Sequence, residues 1–225
     1  KKIDLADHSV IAWIVKNNLK VETGEMYDFK RHRFWFDILR DNSPNQVWLK
    51  AAQVGGTTVA LIKALYLCDR QKLDVLYTMP TMDDISFIGG KLNRMMSMNP
   101  ALKELVKDKD AIEQKLVGER MLYFRGSFTE RQAIALPADL LIHDEEDRSN
   151  QKVLGVFESR LQHSKFAWQW HFSNPSYEGH GVSKYWAKSD QKHWFIKCGG
   201  CAKEQYLSWP DSIDVEGKRY VCKSC

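Results

Sequence analysis

The 225-residue sequence has no apolar run near the roughly 20 residues that a membrane-spanning helix needs. Its start, KKIDLADHSV, carries acidic residues where a secretion signal would have its apolar core. Neither sign of charge dominates: 33 Lys and Arg against 29 Asp and Glu give a net charge of +4, which permits contact with nucleic acid without requiring it. We therefore expect a cytosolic globular protein with no membrane partner, whose 44% hydrophobic residues supply a full core.

Cysteine is scarce until the end of the chain. Cys68 stands alone in an apolar stretch and is predicted to be a small buried residue. The remaining cysteines, Cys198, Cys201, Cys222 and Cys225, form two C-x₂-C pairs about twenty residues apart, the spacing of a Cys₄ zinc ribbon. A cytosolic setting disfavours disulfides, so we expect one structural Zn²⁺ with a closed coordination sphere.

The stretch QVWLKAAQVGGTT, residues 46–58, has the pattern of a phosphate-binding loop. Residues 47–49 are a short apolar run typical of a buried strand, and residues 51–56 form a tight turn before an apolar helix. Glycines let backbone N–H groups converge on phosphate oxygens, and the helix N-terminus adds partial positive charge. An ordinary strand-to-helix turn has the same pattern, and this motif alone does not choose between the two.

The loop departs from the G-x-x-x-x-G-K-[ST] pattern at the lysine. With Gly55 and Thr57 in register, Gly56 stands at the usual lysine position and Lys50 at that of the first glycine. Because a loop without a cation would hold triphosphate poorly, we infer that Lys50 supplies the ammonium group and that the Thr57 hydroxyl reaches Mg²⁺. The residues expected to bind ATP are Lys50, Ala51, Ala52, Gln53, Val54, Gly55, Gly56, Thr57 and Thr58.

A second chemical pattern is ADLLIHDEEDRS, residues 138–149. Residues 140–142 read as a buried strand that ends in a cluster of carboxylates, where a parallel sheet has its ligand crevice. We expect Asp144 to hold Mg²⁺ and Glu145 to polarise the attacking water. A solvated acidic loop would explain the charges, but not their place directly after an apolar strand, about 90 residues beyond a phosphate loop.

Two further stretches have a functional and a structural interpretation. The aromatic and basic residues Tyr27 to His32 could stack on an adenine, or belong to a basic amphipathic helix that covers the sheet. Ser173, Asn174 and Pro175 follow a predicted strand, where they could sense the γ-phosphate and couple its loss to movement, or form an ordinary turn.

The remaining elements follow from periodicity. Helices are predicted over residues 1–25, 27–41, 85–107 and 153–161, and strands over 74–79, 116–118, 120–124 and 166–172. A polar helix start is predicted at Thr81 to Asp84. The residues predicted to face the core from helices are Ile11, Ile14, Val15, Trp35, Ile38, Leu39, Met95, Met96, Met98, Leu102 and Leu105.

Taken together, these segments resemble the ATPase portion of the terminase large subunit, the DNA-packaging motor of tailed phages, and are most similar to its lambda-type branch. The likeness rests on KAAQVGGTT, LYTMPTMDD, LLIHDEEDR, FSNP, and CGGCAKEQYLSW with the following CKSC, in the family's order from about residue 27 to the end. It implies an α/β fold of the P-loop NTPase (RecA-like, ASCE) class, with a mostly parallel sheet flanked by helices and a small C-terminal zinc ribbon. The expected parts are 1–45 (helical, on the adenine side), 46–195 (ATPase core) and 196–225 (ribbon).

The resemblance implies an ATP hydrolase that drives double-stranded DNA into a procapsid. Lys50 to Thr57 would form the phosphate loop, Asp144 and Glu145 the Walker B pair, and Ser173 to Pro175 the coupling motif. ATP, Mg²⁺ and Zn²⁺ would be its cofactors, and DNA, the portal or procapsid and the small terminase subunit its partners, in a homo-oligomeric ring in the host cytoplasm. Family members carry a nuclease domain after the ATPase, which we expect to be absent from this chain.

Two alternatives stay open at this stage. A helicase-like translocase shares the strand order and the acidic pair, but would need a second RecA-like domain. A hydrolytically inactive DNA-binding module, with Gly56 marking lost catalysis and the ribbon binding DNA, belongs to a different class. The arginine that would act on a neighbour's nucleotide is also open, with candidates Arg125, Arg131, Arg148 and Arg160.

Overall fold

The computed structural model describes residues 4–133 and 136–225, and at residues 107–111 it describes the backbone alone. The chain divides into two compact units, Lys1–Ser189 and Asp190–Cys225. The larger unit carries the phosphate loop and the acidic strand end, and the smaller carries the four clustered cysteines. No helix in the described part of the chain is both long and apolar enough to cross a membrane.

Seven strands of the larger unit form one sheet. They are β1 (Asn45–Leu49), β2 (Val75–Met79), β3 (Val106–Ala111), β4 (Gln114–Val117), β5 (Arg120–Gly126), β6 (Leu140–Asp144) and β7 (Trp168–Ser173). Their order across the sheet is β1-β7-β6-β2-β5-β4-β3. The first five in this order run parallel, whereas β4 and β3 extend the sheet antiparallel from β5. The predicted α/β fold with a mostly parallel sheet is confirmed.

The strand order decides which chain segments meet at the edge where the parallel strands end. β7 lies between β1 and β6, with Leu49 opposite Ser173 and Phe172 opposite Asp144. The phosphate loop therefore starts on one side of Ser173, and the acidic pair starts on the other. Such an edge is where open parallel sheets bind ligands.

Helices cover both faces of the sheet. They are α1 (Val10–Lys16), α2 (Phe34–Arg40), α3 (Gly56–Tyr66), α4 (Met82–Met98), α5 (Pro100–Leu105), α6 (Gln151–Glu158) and α7 (Val182–Trp186). Buried residues of α1, α2, α3 and α4 pack against one face of the sheet and form the main core. In a second core, Val153 and Phe157 of α6 pack against Leu76 and Leu141. Because neighbouring residues of a strand point to opposite faces, the two cores lie on opposite sides of the sheet.

Several predicted elements are confirmed together with the residues that begin or bury them. Thr81 caps α4: its hydroxyl accepts from the Asp84 N–H, and the Asp84 carboxylate accepts from the Thr81 N–H. The helix predicted over residues 27–41 forms only at Phe34–Arg40 (α2), and residues 27–33 are not helical. Within α2, Trp35 and Leu39 are buried as predicted, whereas Ile38 is only partly buried. Cys68 is fully buried just after α3. The hairpin of β4 and β5 pairs Val117 with Arg120 across a two-residue turn.

The N-terminal prediction is wrong in its extent. Residues 1–3 lie outside the described chain, and the helix α1 covers only Val10–Lys16, after a 3₁₀ turn at Leu5–Asp7. Lys20 then pairs with Met26 in an antiparallel bridge, so this stretch turns back instead of continuing as a helix. Val15 is 69% exposed, because Trp13 and not Val15 joins the buried face.

The second long helical prediction is also only partly correct. Residues 85–107 were expected to form one helix, but α4 ends at Met98, α5 begins at Pro100, and β3 begins at Val106. Proline is favoured at the first position of a helix and disfavoured inside one, so Pro100 starts a new helix. Met98 is 42% exposed and is not a core residue, whereas Met95 is fully buried.

The smaller unit contains two short antiparallel pairs. β8 (Ile196–Lys197) pairs with β9 (Glu204–Gln205), and β10 (Ile213–Asp214) pairs with β11 (Arg219–Tyr220). β8 ends directly before Cys198, and β9 begins shortly after Cys201. β11 ends shortly before Cys222. The β10–β11 pair thus lies between the two cysteine pairs.

Candidate functional site

The phosphate loop lies between the end of β1 and the start of α3. Gln53 and Gly55 have positive φ angles, 62° and 82°, which turn the chain sharply. α3 begins at Gly56 without a side-chain cap, so its first N–H groups have no partner within the helix. Trp35 supports the loop by donating from Nε1 to the carbonyl oxygen of Val54 at 2.7 Å. Unpartnered N–H groups at a helix N-terminus suit an anion such as phosphate.

Lys50 occupies the space that a side chain at position 56 would need. A Cβ atom placed on Gly56 would lie 2.8 Å from Cδ of Lys50 and 3.4 Å from the ring of Trp35. The Lys50 side chain is only 8% exposed as it passes this point. The aliphatic part of the Lys50 side chain therefore fills the space beside Gly56, and a side chain at position 56 would clash with it.

The ammonium group of Lys50 lies against both carboxylates that follow β6. Its Nζ atom is 2.5 Å from Glu145 Oε1 and 3.3 Å from Asp144 Oδ1. Burial opposes the charge of Lys50, but attraction to Asp144 and Glu145 outweighs it and raises the pKa of Lys50. Lys50 is therefore an ammonium ion at neutral pH, held against the two carboxylates.

Asp144 is fully buried at the end of β6 and accepts hydrogen bonds from three directions. Its Oδ2 atom accepts from Thr57 Oγ1 and from the Tyr77 hydroxyl, each at 2.7 Å, and its Oδ1 accepts from the Glu145 N–H at 2.9 Å. Burial raises the pKa of Asp144, while Lys50 and the two hydroxyls act in the opposite direction. A hydroxyl and a carboxylate in contact are hard oxygen ligands, a donor set that fits Mg²⁺.

Glu145 differs from Asp144 in both exposure and backbone conformation. Its side chain is 26% exposed, whereas that of Asp144 is completely buried. Its φ angle of 53° puts the residue in the left-handed region, from which a 3₁₀ turn runs over Glu146–Arg148. Such a conformation costs a non-glycine residue about 1–3 kcal/mol and is typical of functional positions. The carboxylate of Glu145 can meet water, and that of Asp144 cannot.

The structure brings Ser173 to the site. The carbonyl oxygen of Ser173 accepts from the N–H of Lys50 at 3.0 Å, and its Oγ accepts from the N–H of Asp147 at 3.2 Å. Ser173 is therefore bonded both to the phosphate loop and to the turn after Glu145. Asn174 and Pro175 are exposed.

The histidines His143 and His171, buried in β6 and β7, were missed as functional candidates. His171 Nδ1 is hydrogen-bonded to Glu146 Oε2 at 2.9 Å, and His143 Nδ1 lies 2.7 Å from Thr78 Oγ1. Burial, aided by the neighbouring His171, holds the pKa of His143 well below its ordinary value, so His143 is neutral. The ring of Tyr185 in α7 stacks on His171 at 3.8 Å. A histidine inside each of two strands rich in apolar residues was the available signal in the sequence.

The candidate arginines are spread over the larger unit. Arg125 Nη1 donates to the carbonyl oxygens of Glu113 and Phe124, and Arg160 bonds to Ser159. Arg148 is 61% exposed and lies 3.9 Å from Asp84. The fourth, Arg131, is exposed in a 3₁₀ turn. The choice among them stays open.

The aromatic residues upstream of the loop form a packed cluster. Tyr27 lies edge-on to Phe29 with ring centroids 5.2 Å apart, and Phe29 lies edge-on to Phe36 at 5.3 Å. All three are partly buried, and Tyr27 and Phe29 pack against the main core. The adenine contact of Tyr27 to His32 stays a prediction.

The four clustered cysteines of the smaller unit lie close enough together to hold one metal ion. Their Sγ atoms lie within 4.8 Å of one another, with 3.8 Å between Cys198 and Cys225 and 3.7 Å between Cys201 and Cys222. Four sulfurs placed about 2.3 Å from a tetrahedral zinc ion are about 3.8 Å apart. Backbone hydrogen bonds from Cys201 and Gly200 lower the pKa of the Cys198 thiol to about 6. The sulfurs therefore fit one Zn²⁺.

The strand order and the glycine turn between β1 and α3 define a P-loop NTPase fold. The chain belongs to the family described as phage terminase large subunit gpA, ATPase domain, which matches residues 35–225. A search of curated proteins finds no match.

Solved structures show the same fold. The crystal structure of the HK97 bacteriophage large terminase matches with a TM-score of 0.70 at 13% identity, over 83% of this chain and 41% of that chain. An ATPase-domain mutant of the Thermus phage P74-26 large terminase matches with a TM-score of 0.58 at 13% identity, over 77% of this chain and 74% of that one. The ATPase domain of the same terminase gives 0.53 at 15% identity, over 65% and 66% of the two chains. This chain thus spans less than half of the HK97 protein.

Proposed function

We propose that this chain hydrolyses ATP as the motor ATPase of a viral DNA-packaging terminase. The observation that carries the proposal is Lys50, which leaves the phosphate loop and pairs with Asp144 and Glu145 at the end of β6. A cation, the Thr57 hydroxyl and two carboxylates of different exposure are the groups that phosphoryl transfer requires. Membership of a family of phage terminase ATPase domains supports ATP as the substrate.

In this proposal the loop residues 50–58 bind the phosphates of ATP. Lys50 brings the positive charge, and the N–H groups at the start of α3 bind phosphate oxygens. Thr57 and Asp144 would hold Mg²⁺, and the bound ion would neutralise phosphate charge and orient the transferred group. Tyr77 helps to hold the Asp144 carboxylate in place, because its hydroxyl donates to the same Oδ2 atom as that of Thr57.

Glu145 orients and polarises the attacking water. In the structure its carboxylate pairs with Lys50, and the two groups neutralise each other. An incoming triphosphate offers Lys50 a partner of higher negative charge, so the ammonium moves towards the phosphates and the Glu145 carboxylate becomes available to water. The pairing of Lys50 with Glu145 is then the resting arrangement of the site.

The setting proposed for this ATPase is the packaging motor. Double-stranded DNA would be the translocated substrate, and the portal or procapsid and the small terminase subunit its partners, in a ring of copies in the host cytoplasm. Ser173, Asn174 and Pro175 would couple hydrolysis to movement. Support comes from Ser173, which bonds to the phosphate loop and to the turn after Glu145.

Substitution of each carboxylate tests the roles of Asp144 and Glu145. Glu145→Gln should bind Mg·ATP with nearly unchanged affinity and lose about 10²- to 10⁴-fold in kcat, because a water-orienting group acts mainly in the transition state. Asp144→Asn should lose nucleotide affinity as well as turnover, because a metal ligand also acts in the ground state. Nucleotide affinity and steady-state hydrolysis, with and without DNA, are the measurements.

The matched control is Glu104→Gln, which removes the same charge from an exposed residue of α5 and should change neither property. Unchanged hydrolysis in Glu145→Gln would exclude Glu145 and transfer the role to Glu146. Nucleotide binding without hydrolysis in the unchanged protein, under both DNA conditions, would favour the inactive DNA-binding module instead.

A further inference from the structure

Asp147 connects the turn that carries Glu145 to the chain that follows β7. Its Oδ2 atom accepts from both the N–H and the hydroxyl of Ser176 at 2.7 Å, and its Oδ1 accepts from the N–H of Val182 at 2.9 Å. Its carbonyl oxygen lies 3.2 Å from Nε2 of His180. Both carboxylate oxygens of Asp147 are therefore used to hold residues 176–182.

Gly181 fits closely against the carboxylate of Asp147. A Cβ atom on Gly181 would lie 2.3 Å from Asp147 Oδ1 and 3.0 Å from its Cα, so no side chain fits there. The φ of 50° and ψ of −130° also belong to a region that glycine adopts more easily than other residues. Asp147 in the turn and Gly181 in the segment 176–182 thus pack directly against each other.

The other contacts of the same turn lead to the same part of the chain. The N–H of Asp147 donates to Ser173 Oγ, and Glu146 bonds to His171, on which Tyr185 of α7 stacks. The turn after Glu145 is therefore attached to β7, to residues 176–182 and to α7. A rearrangement of the Glu145 turn cannot leave this segment in place without breaking these bonds.

We propose that Asp147 is a positioning residue for ATP hydrolysis. Its carboxylate ties residues 176–182 to the turn that carries Glu145, so that a movement of the turn also moves this segment. The proposal rests on the proposed ATPase function. The new element is the Asp147 carboxylate, which connects the turn of the water-polarising Glu145 to the segment that follows Ser173, Asn174 and Pro175. Glu145 has an unusual backbone conformation, and the bonds on its C-terminal side help to hold the turn in that conformation.

Removal of the carboxylate tests the effect on catalysis. In the full 225-residue chain, Asp147→Ala should lower kcat about 10- to 100-fold, because small displacements of a catalytic group cost this much. Nucleotide affinity should stay within about twofold, because Lys50 and the phosphate loop make no bond to the carboxylate. Asp147→Asn, which keeps one acceptor oxygen, should fall between the unchanged protein and Asp147→Ala. A kcat equal to that of the unchanged protein in Asp147→Ala would overturn the proposal, as would a loss that is fully explained by weaker nucleotide binding.

Substitution on the segment side tests whether the two parts move together. Gly181→Ala should increase hydrogen exchange at residues 145–148 and lower kcat, because the added Cβ displaces the Asp147 carboxylate. The control is Gly179→Ala, which also has a positive φ, 77°, but has no atom within 4 Å of the added Cβ, and it should leave exchange at 145–148 unchanged. Combining Gly181→Ala with Asp147→Ala should add little further loss of kcat, since both act on the same contact.

The exchange measurement needs no hydrolysis, so it separates this proposal from the proposed function. Equal exchange at 145–148 in Gly181→Ala and the unchanged protein would overturn the link, whether or not the chain hydrolyses ATP. An unchanged protein without ATPase activity would overturn the proposed function, while increased exchange at 145–148 would still support the physical link. Thermal unfolding of each variant shows whether an effect is local: a general loss of stability that accounts for the exchange would also overturn the link.

Discussion

The side chain of Lys50 fills the space that is left free because residue 56 is a glycine. The Lys50 stem lies where a Cβ of residue 56 would be, and its ammonium ends at the carboxylates of Asp144 and Glu145. Glycine at the usual lysine position is therefore no sign of a lost cation. For phosphate binding we expect the position of the ammonium group in space to matter, and not the position of the lysine in the sequence motif.

Moving the lysine tests this pairing. Lys50→Ala should lose most ATP affinity and turnover, because no other cation is bonded to the acidic pair in the described chain. Lys50→Ala combined with Gly56→Lys should recover part of both, because removal of the Lys50 stem makes room at position 56. Nucleotide affinity and kcat of the three proteins are the measurements.

The control for loss of a positive charge is Lys103→Ala, since Lys103 is an exposed residue of α5. It should bind and hydrolyse ATP as the unchanged protein does. ATP affinity and turnover retained in Lys50→Ala would show that Lys50 does not replace the loop lysine.

At the scale of elements, the helix α3 is almost entirely buried and contains a buried lysine. Lys63 is fully buried, and its ammonium donates to the carbonyl oxygens of Ile38 and Asp41 at the end of α2. It also lies 5.1 Å from the centre of the Trp170 ring in β7. Lys63 thus joins the end of α2 to α3 and to the sheet. Burial lowers its pKa to about 7, against an opposing effect of Asp41.

This lowered pKa predicts a specific pH dependence of stability. Between the folded pKa of about 7 and the unfolded pKa of about 10.4, the unfolded chain binds more protons at Lys63. The free energy of unfolding should therefore rise with pH in this window, by at most about 1.4 kcal/mol per pH unit for one proton. Below pH 7 both states are protonated, and the cost of burying the charge is fully present.

Lys63→Met keeps a long side chain and removes the titrating group. The difference in free energy of unfolding between the unchanged protein and this variant should increase from pH 7 to pH 10 in favour of the unchanged protein. Urea unfolding at several pH values measures it, and effects of all other titrating groups cancel in the difference. The same pH dependence in both proteins would contradict the assignment to Lys63.

At the scale of the whole molecule, we expect the smaller unit to depend on its four cysteines. The unit has two-stranded pairs only, and such pairs are marginal without further support. The sulfur positions fit one zinc ion, whose binding contributes on the order of 10 kcal/mol to folding in zinc-finger peptides. Metal binding would therefore supply much of the stability of residues 190–225.

Chelation tests this dependence. Freshly reduced protein should contain about one zinc ion per chain. Its removal should increase hydrogen exchange over residues 190–225, while nucleotide binding at Lys50 to Thr57 stays intact. Cys68→Ala should keep the zinc, because Cys68 is buried in the other unit, whereas Cys201→Ser should lose it. A zinc content near zero, or a Cys198–Cys222 disulfide under reducing cytosolic conditions, would contradict the metal site.

The sequence by itself determined the parts of this protein that depend on neighbouring residues. The glycine turn between a strand and a helix, the carboxylates directly after an apolar strand, the cap at Thr81 and the C-x₂-C pairs are all local patterns. Periodicity and capping depend on residues a few positions apart, so they can be recognised without knowing the fold. The division into residues 1–45, 46–195 and 196–225 stays a prediction.

Tertiary structure alone decided which distant residues meet. The strand order puts β7 between β1 and β6 and thereby brings Ser173 between the phosphate loop and the acidic pair. The reach of Lys50 across Gly56, the bonds of Asp147 to residues 176–182 and the buried contact of His171 with Glu146 all join segments far apart in the chain. Such contacts depend on strand register and on helix packing, and these are fixed by long-range burial of the whole core and not by the local pattern of any one segment.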